Sequence, residues 1–369
     1  MTTTADFTVE ELPIPPNVDV PMAADFVEMV GVRNAVEFVT LGCEALAYSA
    51  AELLPVYRTQ QYEPKRIFVA RMRHGTSERT GGPIVGRAIL SWSIAQNTSS
   101  SWVAAEVLPD HRDRGIGSAL FALVEDLAGR SGRPSLQVEA LHSAAAGGER
   151  VRSPTGYGAL PTADPGVRFL TRRGYRLEQV ARVSFLDLPV DWSSLAELDR
   201  RAADAAGADY TVVSWTGRTP REWMGDLANL RTRMSTDAPS AGLDMDEEPW
   251  DDARVASHDD AVAAGRRTTL TVGAKHLPSG RLIGFSELSV PDDTARAVQQ
   301  LDTLVISAHR GHRLGTLLKI ANLRRLSAFS PASGLAYTFN AEENRHMLDV
   351  NESIGFRAVG YEGAWRKQR

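Results

Sequence analysis

The chain repeats itself, and the repeat holds one register. Ile84-Val85-Gly86 matches Leu282-Ile283-Gly284 and Leu90-Ser91 matches Leu288-Ser289, each pair displaced by 198 residues. At the same displacement Val107-Leu108 meets Val305-Ile306, His111-Arg112 meets His309-Arg310, Ile116-Gly117-Ser118 meets Leu314-Gly315-Thr316, and Leu120 meets Leu318. Several matches in one register point to a duplicated domain. A chain of 369 residues also exceeds what a single hydrophobic core usually organises, so two domains are expected.

Both copies show the same alternation of elements. Residues 84–94 and 281–290 are rich in β-branched and aliphatic residues and read as strands; Trp102 to Leu108 and Gln300 to Ile306 read as the next. Each runs through a polar, glycine-bearing turn into an apolar-periodic helix, 116–129 and 314–328. A buried strand follows (Leu136 to Leu141, Leu335 to Phe339), then a helix ending in Gly174-Tyr175 or Gly355-Phe356, then a closing strand. The fold class is therefore α/β (α+β), with helices flanking a sheet in each copy. Pro189 interrupts a strand, Leu195 to Ala206 reads as a linking helix, and Tyr210 to Trp215 as the first strand of the second copy; the expected domains are 1–189 and 190–369. Ser143 to Pro165, rich in Gly, Ala, Ser and Pro, is expected to be a long mobile loop found in the first copy alone.

The segment that carries chemistry is His111-Arg112-Asp113-Arg114-Gly115-Ile116-Gly117-Ser118, between a strand and a helix. The first turn of a helix leaves backbone N–H groups without partners and carries partial positive charge, so a pyrophosphate fits there. Glycine lets the backbone come close to phosphate oxygens. The Walker pattern and the Gly-x-Gly-x-x-Gly dinucleotide pattern are both absent. At these residues the chain resembles the GNAT superfamily of N-acetyltransferases, whose signature is Gln/Arg-x-x-Gly-x-Gly/Ala. Arg112, Gly115 and Gly117 match all three positions; in the second copy Arg310 and Gly315 match, while Arg313 stands where the first glycine belongs. Nearly the full length is similar to the tandem GNAT proteins of actinobacteria, most closely at Asp302-Thr303-Leu304-Val305, His309 to Gly315, Asn340-Ala341-Glu342-Glu343-Asn344 and Asn351 to Phe356.

The resemblance implies two GNAT-like domains, each with a mixed, mostly antiparallel twisted sheet splayed at its fourth strand. It implies acetyl-CoA as co-substrate, with the pantetheine arm along Val107-Leu108 or Val305-Ile306. The phosphates would meet Arg112, Arg114, Gly115, Ile116, Gly117 and Ser118, or Arg310, Gly311, His312, Arg313, Leu314, Gly315 and Thr316, with Asn340 and Asn344 nearby. An amine would attack the thioester directly, which needs a base and a donor to the carbonyl oxygen. The tyrosine that often protonates the thiolate is replaced by Leu170 and Asn351, and the usual glutamate position by Ser101 and Gln299. Asp302 and Glu106 are the candidate bases, and Asn351 can hold a water or an oxygen. Each copy departs from the pattern, the first by its long loop and the second by Arg313; the second is expected to be the catalytic one, the first to bind an acyl-CoA or shape the acceptor site.

An acidic run, Asp244, Asp246, Glu247, Glu248, Asp251 and Asp252, follows an amphipathic helix with Trp223, Leu227, Leu230 and Met234 on one face. It would attract a cationic amine, or serve only as a solvated loop. The net charge of −5 argues against a general nucleic-acid binder. No stretch nears the roughly 18–20 apolar residues of a membrane span, and the N-terminus lacks the pattern of a secretory signal. The single cysteine, Cys43, excludes an intrachain disulfide and fits a reducing cytoplasm; no Cys/His set has metal-ligand spacing. With only four lysines among 41 basic residues, the composition fits a GC-rich bacterium. The expectation is a cytoplasmic, monomeric or homodimeric enzyme that acetylates a small amine, without metal, membrane or nucleic acid. An acyl-CoA-binding sensor and a protein N-acetyltransferase are the alternatives.

Overall fold

The computed structural model describes residues 6–73, 81–94, 99–144, 147–237 and 239–368. The elements run β1 (Phe7–Leu12), α1 (Ala24–Leu41), α2 (Ala50–Arg58), β2 (Lys65–Met72), β3 (Ile84–Ser91), β4 (Ser100–Val107), α3 (Ile116–Arg130), β5 (Ser135–Ser143), β6 (Arg150–Arg152), β7 (Ala159–Pro161), α4 (Pro165–Arg172) and β8 (Arg176–Asp187). They continue with α5 (Trp192–Ala206), β9 (Tyr210–Thr216), α6 (Arg221–Asp237), α7 (Asp252–Ala264), β10 (Arg267–His276), β11 (Arg281–Pro291), β12 (Val298–Val305), α8 (Leu314–Phe329), β13 (Leu335–Ala341), α9 (Arg345–Ile354) and β14 (Arg357–Gln368). Local chemistry sets several ends. Ser49 and Glu52 form a reciprocal capping box at α2. Asp164 accepts from the backbone N–H of Gly166 and Val167 at α4, with Pro165 in the first helical position.

The chain makes two compact units. The first takes Met1–Val180, Ala241–Asp244 and Tyr361–Arg369; the second takes Ala181–Ser240 and Met245–Gly360. In the first the strands are ordered β1-β2-β3-β4-β5-β14, with β1 to β4 antiparallel and β4–β5 parallel. In the second the order is β8-β13-β12-β11-β10-β9, where β12–β13 is the parallel pair.

The pleat sends alternate side chains to opposite faces, so each sheet carries two cores. In the first unit Ile67 and Val69 join Phe26, Met29 and Leu54 under α1 and α2, while Phe68 and Ala70 join Leu120, Val124 and Leu170 under α3 and α4. In the second, Leu282 and Phe285 pack with Leu227 and Leu230 of α6 and Val255 of α7, and Ile283 with Leu314 and Leu318 of α8. The expected apolar face of α6 is present, since Trp223 and Met234 pack against that same cluster. No helix of the described residues is long and apolar enough to cross a membrane.

Two features differ from the sequence expectation. The stretch Ser143 to Pro165 is not all loop: β6 and β7 pair within it, Arg150↔Pro161 to Arg152↔Ala159, while 145–146 lie outside the described residues. The units also divide the chain elsewhere than at 189/190. Strand β8 passes from the first unit to the second between Val180 and Ala181, and β14 passes back between Gly360 and Tyr361. The apolar residues explain this. Leu177 and Val180 belong to the first unit's core and Leu186 to the second's; Phe356 belongs to the second's and Trp365 to the first's. Strand β8 therefore feeds two cores in turn, and the chain leaves the second core at Phe356, just before β14 returns it to the first.

The returning segment is held firmly. Trp365 is 1% exposed. Arg366 donates to Gly242 O at 2.9 Å and pairs with Asp244 at 2.8 Å, and Lys367 pairs with Glu125 at 3.1 Å. Trp365→Ala is expected to lower the stability of the first unit by roughly 3–5 kcal/mol. Hydrogen exchange checks this: amides of β5 should lose protection while those of β10 and β11 keep theirs.

Candidate functional site

Two strands part company in each unit. Parallel pairing of β4 with β5 runs from Ser100↔Ser135 to Val103↔Val138 and stops, leaving Ala104–Val107 off that ladder. In the second unit Val298↔Ala336 and Gln299↔Tyr337 are the β12–β13 pairs, and Gln300–Val305 are off it. Diverging strands present backbone donors and acceptors that an extended amide-bearing ligand can use as a neighbouring strand would.

The copies differ within this shared plan. Pairing of β3 with β4 is unbroken from Gly86↔Val107 to Ser91↔Trp102. Pairing of β11 with β12 shifts from Ser286↔Thr303 to Leu288↔Gln300, so Leu301 and Asp302 together face Glu287. This is a β-bulge, which takes one residue out of the ladder and re-aims side chains. Gln300 closes the gap, donating from Nε2 to Glu287 O at 2.8 Å and Leu301 O at 3.1 Å.

The two glycine-bearing turns have the same backbone. A 3-10 turn follows each strand, Pro109–His111 and Ser307–His309. Leu108 N–H donates to Val85 O at 2.9 Å and Ile306 N–H to Ile283 O at 3.0 Å. Arg112 Nε donates to Val107 O at 3.2 Å and Arg310 Nε to Val305 O at 3.0 Å, so both signature arginines brace the strand end. Arg310 is further tied to Asp237 at 3.0 Å. Positive φ recurs at equivalent places: 58° at Asp113 and 83° at Gly115, against 92° at Gly311 and 52° at Arg313. The glycine has changed places, and Arg313 caps α8 in the left-handed conformation that Gly115 adopts at α3. The substitution leaves the fold of the turn intact at a cost of about 1–2 kcal/mol. A Cβ at Gly115, Gly311 or Gly315 would meet nothing within 4 Å, whereas one at Gly117 would touch the Phe169 ring at 3.4 Å. Arg114, Ser118 and Arg313 are exposed, Ile116, Leu314 and Thr316 are buried, and Val107, Leu108, Val305 and Ile306 are half-buried.

The candidate bases fare differently. Glu106 is gripped by Arg87 at 2.6 and 2.8 Å, and Arg87 is 3% exposed and also bonds Tyr57. Both carboxylate oxygens are engaged, so Glu106 serves the fold of the first unit and is badly placed to take a proton. Asp302, at the bulge, keeps 43% of its side chain exposed and lies 3.8 Å from Arg231. Crowding by protein raises its proton affinity, and Arg231 and Lys319 counter that in part. Arg231 is committed to the buried Glu287 at 2.7 Å, where Thr271 also bonds at 3.1 Å. Asn351 is 1% exposed; its amide nitrogen donates to Asn340 Oδ1 at 2.6 Å, and among the described residues its Oδ1 has no partner. Asn340 pairs with Arg182 across β8–β13, and Arg182 grips Glu342 at 2.9 Å and Glu352 at 2.6 Å. Asn344 caps α9.

The acidic run is largely absorbed by local structure. Asp244 bonds Ser135 and Arg366, Glu248 pairs with Arg254, and Asp251 caps α7. A different set of carboxylates, missed in the sequence, occupies the first unit: Glu37, Glu139 and Glu362. Burial pushes Glu37 up to about 7, and the half-buried Glu362 is pushed up by crowding and by repulsion from Glu139 and Glu37. Among the described residues no group of three or more His, Cys, Asp or Glu could hold a metal ion.

This plan recurs in solved structures. A tandem GNAT protein from the clavulanic acid biosynthesis pathway, determined without AcCoA, matches at TM-score 0.70 and 23% identity over 98% of each chain. The chain has the tandem GNAT fold. A GCN5-related N-acetyltransferase from Sphaerobacter thermophilus matches at TM-score 0.61 and 14% identity, over 100% of this chain and 97% of that one. The GCN5-related glucosamine N-acetyltransferase region of a fungal multi-domain GH3 β-N-acetylglucosaminidase matches at TM-score 0.59 and 14% identity, over 99% of this chain and 38% of that one. Neither a protein-family model nor a curated protein matches the sequence.

Lys319 is the residue the sequence flagged least. It is 2% exposed on α8, and burial drives its proton affinity down to about 7, opposed only by Asp302. The unfolded chain holds that proton up to the ordinary 10.5, so it binds more protons than the fold between those values and stability rises with pH across that window. Lys319→Met is expected to flatten that rise and to stabilise the chain at pH 7, as urea titrations at pH 7 and pH 10 would show. Relief of the turn should be visible too. Arg313→Gly is expected to stabilise the second unit by up to about 1 kcal/mol, and Gly115→Val to destabilise the first by roughly 1–2 kcal/mol.

Proposed function

We propose that the chain is an acyl-CoA-dependent N-acyltransferase that moves an acetyl group from acetyl-CoA to a primary amine of a small molecule, with the chemistry in the second unit. The observation that carries this reading is the bulge at Asp302, which sits on the diverging strand β12 and has no counterpart on β4. Both turns suit a diphosphate, because Gly115, Gly311 and Gly315 leave open space where a Cβ would stand. The neighbour determined without AcCoA supports the choice of donor.

When bound, acetyl-CoA supplies a thioester carbonyl open to attack by an amine. The residues of the second unit support each requirement of that attack. Asp302 takes the proton from the incoming amine; its raised proton affinity brings it nearer the working pH, which favours a general base. A backbone N–H released by the bulge can donate to the carbonyl oxygen. As the new C–N bond forms and the C–S bond breaks, water returns the proton to the departing thiolate; Asn351, buried against Asn340, supports the strand end from behind.

A second reading fits the first unit. Its turn is open, its fourth strand has no bulge and its Glu106 is locked by Arg87, a combination that supports acyl-CoA binding without turnover. Thiol release measured across a panel of small amines tests the main reading. Asp302→Asn is expected to lower kcat roughly 10²–10⁴-fold while KM for acetyl-CoA changes little. Tight CoA binding with no thiol release from any amine would leave a binding protein. Acetylated protein lysines that vanish on deletion of the gene would shift the acceptor to a protein.

A further inference from the structure

Three imidazoles collect around one phenol beside the second turn. Tyr210 at the start of β9 lies 5.3 Å from His276 at the end of β10, 5.7 Å from His309 and 5.2 Å from His312, ring centre to ring centre. His276 and His309 are 4.7 Å apart. The Tyr210 hydroxyl and His309 Nδ1 share a hydrogen bond of 2.8 Å. His276 Nδ1 meets Ser279 Oγ at 2.9 Å, and His312 Nδ1 faces Ala205 O at 3.4 Å. These residues come from three separate segments, yet none belongs to the hydrophobic core that holds them.

Charge is what the group lacks. Among the described residues none of the three imidazoles pairs with a carboxylate, and the carboxylate that α6 offers to this turn, Asp237, is taken by Arg310. The groups that face His309 are His276 and His312, so protonating the cluster adds positive charge to positive charge. Burial together with repulsion from His276 and His312 holds His309 below the ordinary imidazole range. In the first turn His111 stands where His309 does and Arg114 where His312 does, so that turn holds one imidazole beside a guanidinium.

We infer that His276, His309 and His312 form a proton-dependent seat for a phosphoanion beside the second turn, so that a phosphate-bearing ligand binds there together with protons. A phosphate dianion supplies the negative charge that the cluster has no residue to provide, and protonated imidazoles return charge-assisted hydrogen bonds to it. When His309 is protonated its Nδ1–H donates and the Tyr210 hydroxyl accepts, a role open to a phenol. The first turn, with Arg114 in place of His312, should take its phosphates with less proton uptake than the second. The inference rests on the acyl-CoA reading for the identity of the ligand, not for the seat itself.

Histidine ring resonances of the full chain, assigned by single His→Gln variants and followed from pH 5 to 8 with and without pyrophosphate, test it. The titration midpoints of at least two of the three are expected to rise by about one pH unit or more with pyrophosphate. Calorimetry with acetyl-CoA at pH 6.5, in buffers of different ionisation enthalpy, should show net proton uptake that falls in His309→Gln and His312→Gln. Acetyl-CoA binding with unmoved midpoints and no proton uptake would overturn the inference and leave the transferase reading standing. Midpoints that move with pyrophosphate in a chain that does not bind acetyl-CoA would sustain the seat and overturn the transferase reading. Because the resonances are read on the unaltered chain, a variant that fails to fold does not remove the test.

Discussion

A parallel ladder that ends early is the constraint from which the site follows. Backbone N–H and C=O groups demand partners, and β4 and β12 run on past the point where β5 and β13 stop supplying them. The turn that follows each strand faces the same demand from the other side, since the helix it opens begins with unpaired donors. An extended chain ending in a diphosphate meets both at once. Around this gap in the second unit, α6 and α7 cover one face of the sheet and α8 the other.

The two turns show how much a backbone can keep while its residues change. Positive φ recurs at equivalent places with glycine moved from the second to the first, and the hydrogen bonds at the strand end agree within 0.2 Å. The shape of the turn is therefore set by its anchoring to the strand and helix, with glycine lowering its energy at one place or the other. What differs between the copies lies in β12, where one extra residue puts a carboxylate at the opening that β4 does not have.

The repeat, the strand–turn–helix order and the apolar face of α6 were legible from the sequence because each depends on neighbours close in the chain. Arg313 looked like a defect because the sequence pattern weighs residue identity, whereas the turn depends on φ. Glu106 looked like a free carboxylate because its partner, Arg87, lies on the adjoining strand and nothing local announces the pairing. The bulge was hidden for the same reason: a register shift exists only between two strands. Lys319 had a signal, a lone lysine in the apolar stretch Leu317-Leu318-Lys319-Ile320, and the carboxylates Glu37, Glu139 and Glu362 had none, since three distant segments bring them together.

Strands β8 and β14 each looked like the plain closing strand of their own half, but β8 serves both cores and β14 carries Trp365 into the first. This has a bearing on how the protein is made. A ribosome delivers the chain from its N-terminus, and domains usually finish folding in that order. Here the first unit waits for Trp365, which follows every residue of the second unit, so its apolar face between β5 and the missing strand stays uncovered until the second unit's residues have all been made. The half built first is the half completed last.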